Sequence, residues 1–406
     1  MKKPEILAPA GDLEKLKIAV NYGADAVYMG GESYSLRAKA KNFSYENMAE
    51  GIRYAHERGV KCYITANIFA RNADVDAMGE YFKTVEAMGA DAVLVSDPGV
   101  FSAARAAAPS LDIHISTQAN NTNYMTAEFW KGLGASRIVL ARELSLKEIK
   151  AVCEKTDIET EIFVHGAMCI SYSGRCLLSA YFTGRDGNRG ACTHPCRWKY
   201  YITEATREGE YLPIEEDSRG TYIFNSKDLC MIEHIPELVE SGVSSLKIEG
   251  RIKTAYYAAV TVKAYREALD DYFKNPKLYE SKKEYYLSEL KKASYRGFTT
   301  GFFFGNPTAQ SQVYTDSAYI KTYDFVGLVK EYDPVTGFAL IEQRNRFFKG
   351  DTIEFLRAGE ENFSQTLDEI YDLEGNSRES APHAQELLKI KVDKPLKPMD
   401  ILRKAK

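Results

Sequence analysis

Short runs of apolar and β-branched residues alternate with amphipathic segments along the first two thirds of the chain, and the joints between them repeat. Gly23-Ala24-Asp25, Gly89-Ala90-Asp91, Gly134-Ala135-Ser136 and Gly242-Val243-Ser244 each close a helical period and open an apolar run. A glycine at such a joint takes the left-handed conformation that ends a helix, and a strand follows at once. The rhythm is that of repeated βα units. The predicted strands are Glu5–Ala8, Asp25–Met29, Val60–Ala66, Asp91–Val95, Asp112–Ser116, Arg137–Leu140, Thr160–Val164 and Ser245–Ile248. Helices at Asp12–Asn21, Tyr45–Arg58, Val75–Met88, Thr126–Leu133 and Leu146–Lys155 fit between them. Eight strands close a parallel barrel, so the chain reads as α/β, a TIM-like (β/α) barrel. An open doubly wound sheet is the competing arrangement, but no glycine-rich dinucleotide fingerprint follows the first strand.

A further helix is predicted at Asp228–Ser241, and before it stands a long insertion, 166–230, rich in Gly, Arg and Ser. The insertion follows strand seven, at the carboxyl end of the strands, where barrel enzymes place their active sites. A long helix near Ala255–Phe273 completes a barrel domain over 1–275. Residues 276–322 carry Lys282-Lys283-Glu284 and Lys291-Lys292 and lead into Arg296-Gly297-Phe298, which reads as a linker. From 323 to 406 the pattern turns to strands, at Phe325–Lys330, Phe338–Gln343, Asp351–Leu356 and Ile390–Val392. This predicts a small all-β barrel, able to bind RNA, cover the mouth or contact a homo- or hetero-dimer partner.

Five of the seven cysteines, Cys169, Cys176, Cys192, Cys196 and Cys230, fall in or at the end of the insertion. Thiolates are soft, charged ligands, and packing does not explain several in one loop. Met1-Lys2-Lys3-Pro4 passes directly into an apolar strand, and no run is long enough for a signal peptide or membrane span. That predicts a cytoplasmic protein with no membrane contact, in which clustered cysteines are ligands or redox groups rather than disulfides. Cys62 and Cys153 sit in apolar patterns and read as core residues. Cys169 and Cys176 are seven apart and Cys230 is remote, whereas structural zinc draws its thiolates as close pairs. The spacing suits an iron–sulfur cluster, with zinc as the alternative. A formal net charge of -4 over 406 residues gives no global attraction for nucleic acid, so RNA binding needs a local basic surface. Arg344, Arg346 and Lys349 beside Phe347 and Phe348 offer one, able to contact phosphate and stack on an unpaired base.

Glu161-Ile162-Phe163-Val164-His165-Gly166-Ala167-Met168-Cys169, continuing through Gly174-Arg175-Cys176-Leu177-Leu178-Ser179, resembles the signature of peptidase family U32, the collagenase-like proteins. The resemblance extends to Leu7-Ala8-Pro9-Ala10-Gly11, Asn225-Ser226-Lys227-Asp228-Leu229 and Leu246-Lys247-Ile248-Glu249-Gly250-Arg251, and covers nearly the whole chain. Within that family the chain looks most like the tRNA hydroxylation branch. The resemblance implies formation of 5-hydroxyuridine at the wobble position of tRNA, with prephenate as cosubstrate. It also implies a 4Fe-4S cluster on Cys169, Cys176, Cys192 and Cys230, with Cys196 close enough to compete with Cys192.

His165 follows the seventh strand, where it could move protons, hold substrate or serve structure. Glu161, on the strand itself, is expected to be buried against a barrel arginine. The other strand ends are polar: Asn67, Asp97, Ser116-Thr117-Gln118-Ala119-Asn120, Arg142-Glu143, and Lys247 to Arg251. Arginines at a barrel mouth suit bidentate capture of carboxylate. Arg37, Arg142 and Arg251 are therefore the candidates for a small anionic cosubstrate such as prephenate, against ordinary rim salt bridges. Proteolysis, which the family's name suggests, ranks second: there is no H-E-x-x-H helix, no G-x-S-x-G elbow and no evident acid pair. A noncatalytic subunit that holds a cluster and a partner is the third reading.

Overall fold

The computed structural model describes residues 2–35, 42–168, 176, 178–185, 192–195, 198, 201–202, 212–213, 227–305 and 319–406. The barrel half runs β1 (Glu5–Pro9), α1 (Leu13–Asn21), β2 (Ala26–Met29), α2 (Tyr45–His56), β3 (Lys61–Thr65), α3 (Asn72–Ala87), β4 (Ala92–Val95), α4 (Pro98–Ala107), β5 (Asp112–Ile115), α5 (Tyr124–Gly132), β6 (Arg137–Val139), α6 (Leu146–Lys155) and β7 (Glu159–Gly166). In the insertion lie α7 (Leu178–Thr183), β8 (Tyr201–Ile202) and β9 (Leu212–Pro213), followed by β10 (Asp228–Cys230), α8 (Ile235–Glu240), β11 (Ser245–Ile248), α9 (Ala255–Lys274), α10 (Pro276–Lys292) and β12 (Phe298–Thr299). Strands β1 to β7 pair in sequence order, β11 pairs with both β1 and β7, and every one of these pairings is parallel. The eight predicted strands are the eight of this closed barrel.

Local chemistry sets the element ends. Asp12, Ser44, Asp97, Asn123, Ser145 and Thr254 each accept a backbone N–H of the following first helical turn. At the joints, Gly23 and Gly134 have φ of 103° and 96°, the left-handed geometry the repeats predict. Two expectations are corrected. The helix expected over Asp228–Ser241 starts at Ile235, because β7 overshoots the barrel and its last residues need a ladder partner. Leu229 and Cys230 supply it, antiparallel to Gly166 and His165. The stretch 276–322, expected to be a linker, opens with the 17-residue helix α10, capped by Asn275 and burying Tyr279, Tyr286 and Leu290.

The C-terminal half comprises β13 (Tyr323–Asp333), β14 (Phe338–Gln343), β15 (Phe347–Phe348), β16 (Thr352–Leu356), β17 (Phe363–Thr366), β18 (Ile370–Tyr371), β19 (Ser377–Arg378), β20 (Ser380–Ala381), β21 (Leu387–Lys391) and β22 (Ile401–Ala405). Eight of these form an antiparallel half-barrel in the order β17-β16-β22-β13-β14-β21-β18-β19, with β15 and β20 as a separate pair. It packs against the barrel through buried polar contacts. Arg403, with no exposed surface, sends Nη2 to Glu289 of α10 at 2.6 Å and to Glu354 at 2.7 Å. At one end Arg344 Nη1 donates to Glu14 in the first turn of α1 at 3.1 Å, and Phe325 stacks on Tyr256 at the start of α9. At the other end the hydroxyl of Tyr22, just past α1, donates to the Leu356 carbonyl at 2.7 Å.

The barrel interior is polar for much of its depth. Glu161, fully buried, accepts from Lys247 Nζ at 2.7 Å and from Arg137 Nη1 at 3.2 Å, the arginine contact expected of it. Arg137 also reaches Glu5 at 2.7 Å and Glu159 at 2.7 Å, and Tyr63 donates to Glu5 at 2.8 Å. Among the described residues Lys247 has Glu161 as its carboxylate partner. Glu161→Ala therefore leaves an uncompensated buried ammonium, and a loss of about 3–5 kcal/mol is expected, read as a lower urea midpoint at unchanged m-value.

His114 lies in the same interior, edge-on to Tyr63 with ring centroids 4.7 Å apart. Burial, and then the charges of Arg137, Lys247 and Lys61, hold its imidazole well below the ordinary histidine value. The unfolded chain takes up a proton on His114 near pH ~6.5 and the folded chain does not, so this stability is complete above that pH and lost as the pH falls. His114→Gln should flatten the acid limb of stability by about 1.4 kcal/mol per pH unit below ~6.5. Urea midpoints from pH ~7 to ~5 check it, and equal slopes in both proteins would refute the assignment.

Candidate active site at the barrel mouth

The strand ends and the loops after them build the mouth. From β11 the chain continues as Lys247-Ile248-Glu249-Gly250-Arg251-Ile252-Lys253, so charged residues alternate upward out of the barrel. Lys247 lies deepest, its ammonium 4.6 Å from the ring centre of Tyr28 and 5.4 Å from that of Phe163. Above it Arg142, in the loop after β6, lies 3.6 Å from the Phe163 ring centre and pairs with Glu249 at 3.4 Å. Arg251 is buried and crosses to β3, where Nη1 donates to Thr65 Oγ1 at 2.9 Å. Thr65 in turn donates to the Met29 carbonyl at 3.1 Å and lies 2.9 Å from Ser35 Oγ. Two of the three expected arginines thus stand at the mouth, on carboxylate and hydroxyl partners. Arg37 lies outside the described residues.

Across the mouth, Asn67 Nδ2 donates to Gln118 Oε1 at 2.7 Å and to Ser116 Oγ at 3.3 Å. The side-chain carbonyls of Asn67 and Asn120 are buried and accept no hydrogen bond from the described residues. Orphaned acceptors of this kind cost free energy unless a donor completes them, so they suit a ligand carrying N–H or O–H groups. Asp97 is instead spent on capping α4, accepting from the Val100 N–H at 3.0 Å.

His165 is buried on β7 among Tyr257, Tyr265 and Phe298, with ring centroids 6.0, 5.6 and 5.6 Å away. Burial, with the charge of Lys253, pushes its imidazole down to about 3. Its cross-strand neighbour is Cys230, whose thiol burial pushes up to about 12. A protease pair needs a depressed thiol beside a basic histidine, so this juxtaposition opposes nucleophilic use. Lys253 escaped the sequence reading, although the alternation from Lys247 pointed to it. Its ammonium lies 3.7 Å from the ring centre of Tyr319 and 5.1 Å from that of Tyr257, and burial lowers its pKa.

The insertion's two ends are held side by side by the β7–β10 pairing, and its interior is tied by Thr193, whose N–H donates to Ser179 Oγ at 3.0 Å. That contact joins the segment after Cys176 to the segment holding Cys192. Cys192 Sγ accepts the His194 N–H at 3.4 Å, and Cys230 accepts the N–H of Ile232, also two residues on. Backbone donors aimed at sulfur are one means by which proteins stabilise a metal-bound thiolate, and Cys192 and Cys230 each have one. Cys169 and Cys196 lie outside the described residues, and no three His, Cys, Asp or Glu side chains converge among those described. Nor, among them, is any helix long and apolar enough to cross a membrane.

Gly30 decides whether Arg251 keeps its seat. A Cβ there would stand 2.2 Å from Arg251 Nη1 and 2.3 Å from Ser35 Oγ. Gly30→Ala should cost about 1–3 kcal/mol of overpacking and displace the guanidinium. Thermal melts with and without a dicarboxylate should show a stabilisation in the wild type that is absent in the variant. Equal shifts would remove Arg251 from the candidate anion-binding residues.

Comparison with known proteins agrees with this architecture. The profile of peptidase family U32 matches residues 11–313, and that of the peptidase family U32 C-terminal domain matches residues 321–403. The chain is 45% identical over 405 residues to tRNA hydroxylation protein P1 of Bacillus subtilis (strain 168), covering 100% of this chain and 96% of that one. It is 39% identical over 431 residues to tRNA hydroxylation protein P of Escherichia coli (strain K12), covering 94% and 92%. With the 23S rRNA 5-hydroxycytidine C2501 synthase of the same strain it shares 35% identity over 266 residues, 66% of this chain and 39% of that protein. Barrel and C-terminal half alike match, and the chain belongs to peptidase family U32.

Proposed function

We propose that this chain hydroxylates tRNA, forming 5-hydroxyuridine at the wobble position. The observation that carries the reading is the match at 45% identity over 100% of the chain to a protein named for tRNA hydroxylation. A similarity to an rRNA 5-hydroxycytidine synthase points to the same chemistry, a hydroxyl placed on a pyrimidine ring. The mouth supports it. The orphaned carbonyls of Asn67 and Asn120 can accept from the N–H edge of a uracil, and Arg142 and Arg251, with Arg37, can hold the carboxylates of prephenate.

Cys169, Cys176, Cys192 and Cys230 would hold a 4Fe-4S cluster, with zinc as the alternative metal. The chemistry such a cluster supplies when bound is electron transfer or Lewis-acid binding of an oxygen. The chain's own residues do the rest of the work: Glu161 and Lys247 keep the floor of the site charged and fixed, and the Phe163 ring carries the Arg142 guanidinium across it.

Deleting the gene should remove 5-hydroxyuridine from cellular tRNA, with recovery from the wild-type gene and none from Cys176→Ser or Cys169→Ser. Nucleoside analysis of the tRNA by mass spectrometry reads this. Anaerobically purified protein should be brown with visible charge-transfer absorption, lost in the same variants. Unchanged nucleosides, or a colourless anaerobic protein with one tightly held zinc, would overturn the corresponding half of the proposal.

A further inference from the structure

The basic and aromatic cluster at 344–349 divides into two parts with opposite roles. Arg344 bonds Glu14 and Glu342, and Phe347 has no exposed surface and lies in the C-terminal core. Arg346, Phe348 and Lys349 point outward, and Phe348 is 44% exposed. The alternation along β15 explains the split, since neighbouring strand residues face opposite sides. The backbone beneath the ring is tied down: β15 pairs with β20 at Phe347↔Ala381 and Phe348↔Ser380, and the Phe348 N–H donates to Asp351 Oδ2 at 2.8 Å.

Cations surround this ring. Arg346 Cζ lies 5.3 Å from its centre and Lys404 Nζ 5.8 Å, both within cation–π range. Lys404 is paired with Asp351 at 2.7 Å, while Arg346 and Lys349 make no ion pair among the described residues. One exposed phenylalanine is ordinary on any surface. One on a paired strand and bracketed by cations, in a chain of net charge -4, is the local surface that RNA binding needs.

The cluster also stands at the right end of the molecule. Helices α1 and α9 start where β1 and β11 end, so their first turns lie at the mouth. Arg344 is fixed to Glu14 in the first turn of α1, and the N–H of Arg344 donates to Val326 beside Phe325, which stacks on Tyr256 at the start of α9. The segment 344–349 therefore rises at the mouth end of the C-terminal half-barrel.

We propose that Arg346, Phe348, Lys349 and Lys404 form a docking surface for tRNA outside the catalytic mouth, with an unpaired base stacked on Phe348 and neighbouring phosphates on the cations. The inference rests on the tRNA reading above and adds a second point of contact to it. Stacking of this kind tolerates any base, so the surface sets affinity and orientation, while the mouth selects the nucleotide.

The test is titration of unfractionated tRNA onto the full chain at several salt concentrations. Phe348→Ala should weaken binding roughly tenfold and Phe348→Trp should restore it. Arg346→Ala should lower the slope of log affinity against log salt by about 1. Val335→Ala, at the 91%-exposed tip of the β13–β14 turn, should leave both unchanged. Unaltered tRNA affinity in a folded Phe348→Ala would overturn the docking surface while leaving hydroxylation in place. So would a change in oligomeric state without a change in RNA affinity, which would make the face a protein contact. Loss of tRNA affinity in Phe348→Ala, in a chain whose deletion leaves 5-hydroxyuridine intact, would keep the docking surface and sink the hydroxylation reading.

Discussion

The carboxylate of Glu161 is the contact on which the rest of the barrel depends. It sits on β7, bonds Arg137 of β6 on one oxygen and Lys247 of β11 on the other, and so spans the seam where the barrel closes. Buried charges of this kind are costly unless every partner is in place, which makes their geometry strict rather than adjustable. The consequence reaches the mouth. With Lys247 fixed, Glu249 and Arg251 follow at set heights on the same strand exit, and Phe163, two residues beyond Glu161, holds the guanidinium of Arg142. The same strand ends at His165 and Gly166, whose pairing with Cys230 and Leu229 sets where the cysteine insertion leaves and returns.

Much of this was legible in the sequence, for physical reasons. The left-handed glycines at Gly23, Gly89, Gly134 and Gly242 mark helix ends whatever the tertiary context, so the eight strands could be counted. Glu161 could be placed in the core because a charge inside an apolar strand needs a buried partner. Helix α10 was obscured by Lys282, Lys283, Glu284 and Lys291, although Tyr279, Tyr286 and Leu290 keep helical spacing beneath them. Strand β10 spans only three residues, too short for a period, and its pairing is set by β7 rather than by its own sequence.

At the site, residue types were readable and their partners were not. Arg142 and Arg251 were expected at the mouth and are there, but nothing local foretells that Thr65, 186 positions earlier, receives Arg251. Arg344 looked like a phosphate contact and instead binds Glu14, 330 positions away, as part of the joint between the two halves. That joint gives the C-terminal half-barrel a fixed place beside the mouth. Arg403 and Tyr22 hold it along α10 and α1, so whatever its outward face binds is presented in register with the strand ends.

The polar barrel mouth is proposed to oxidise a pyrimidine in RNA. The most direct measurement of this is turnover by the purified chain. Anaerobically prepared protein is incubated with tRNA from a strain lacking the gene, with and without prephenate, and the nucleosides are weighed by mass spectrometry. With dioxygen admitted as the two-electron oxidant, uridine at the wobble position should gain one oxygen atom only when the protein and prephenate are both present. Prephenate consumed with no oxygen in the RNA, or peptides cleaved with the tRNA untouched, would contradict it.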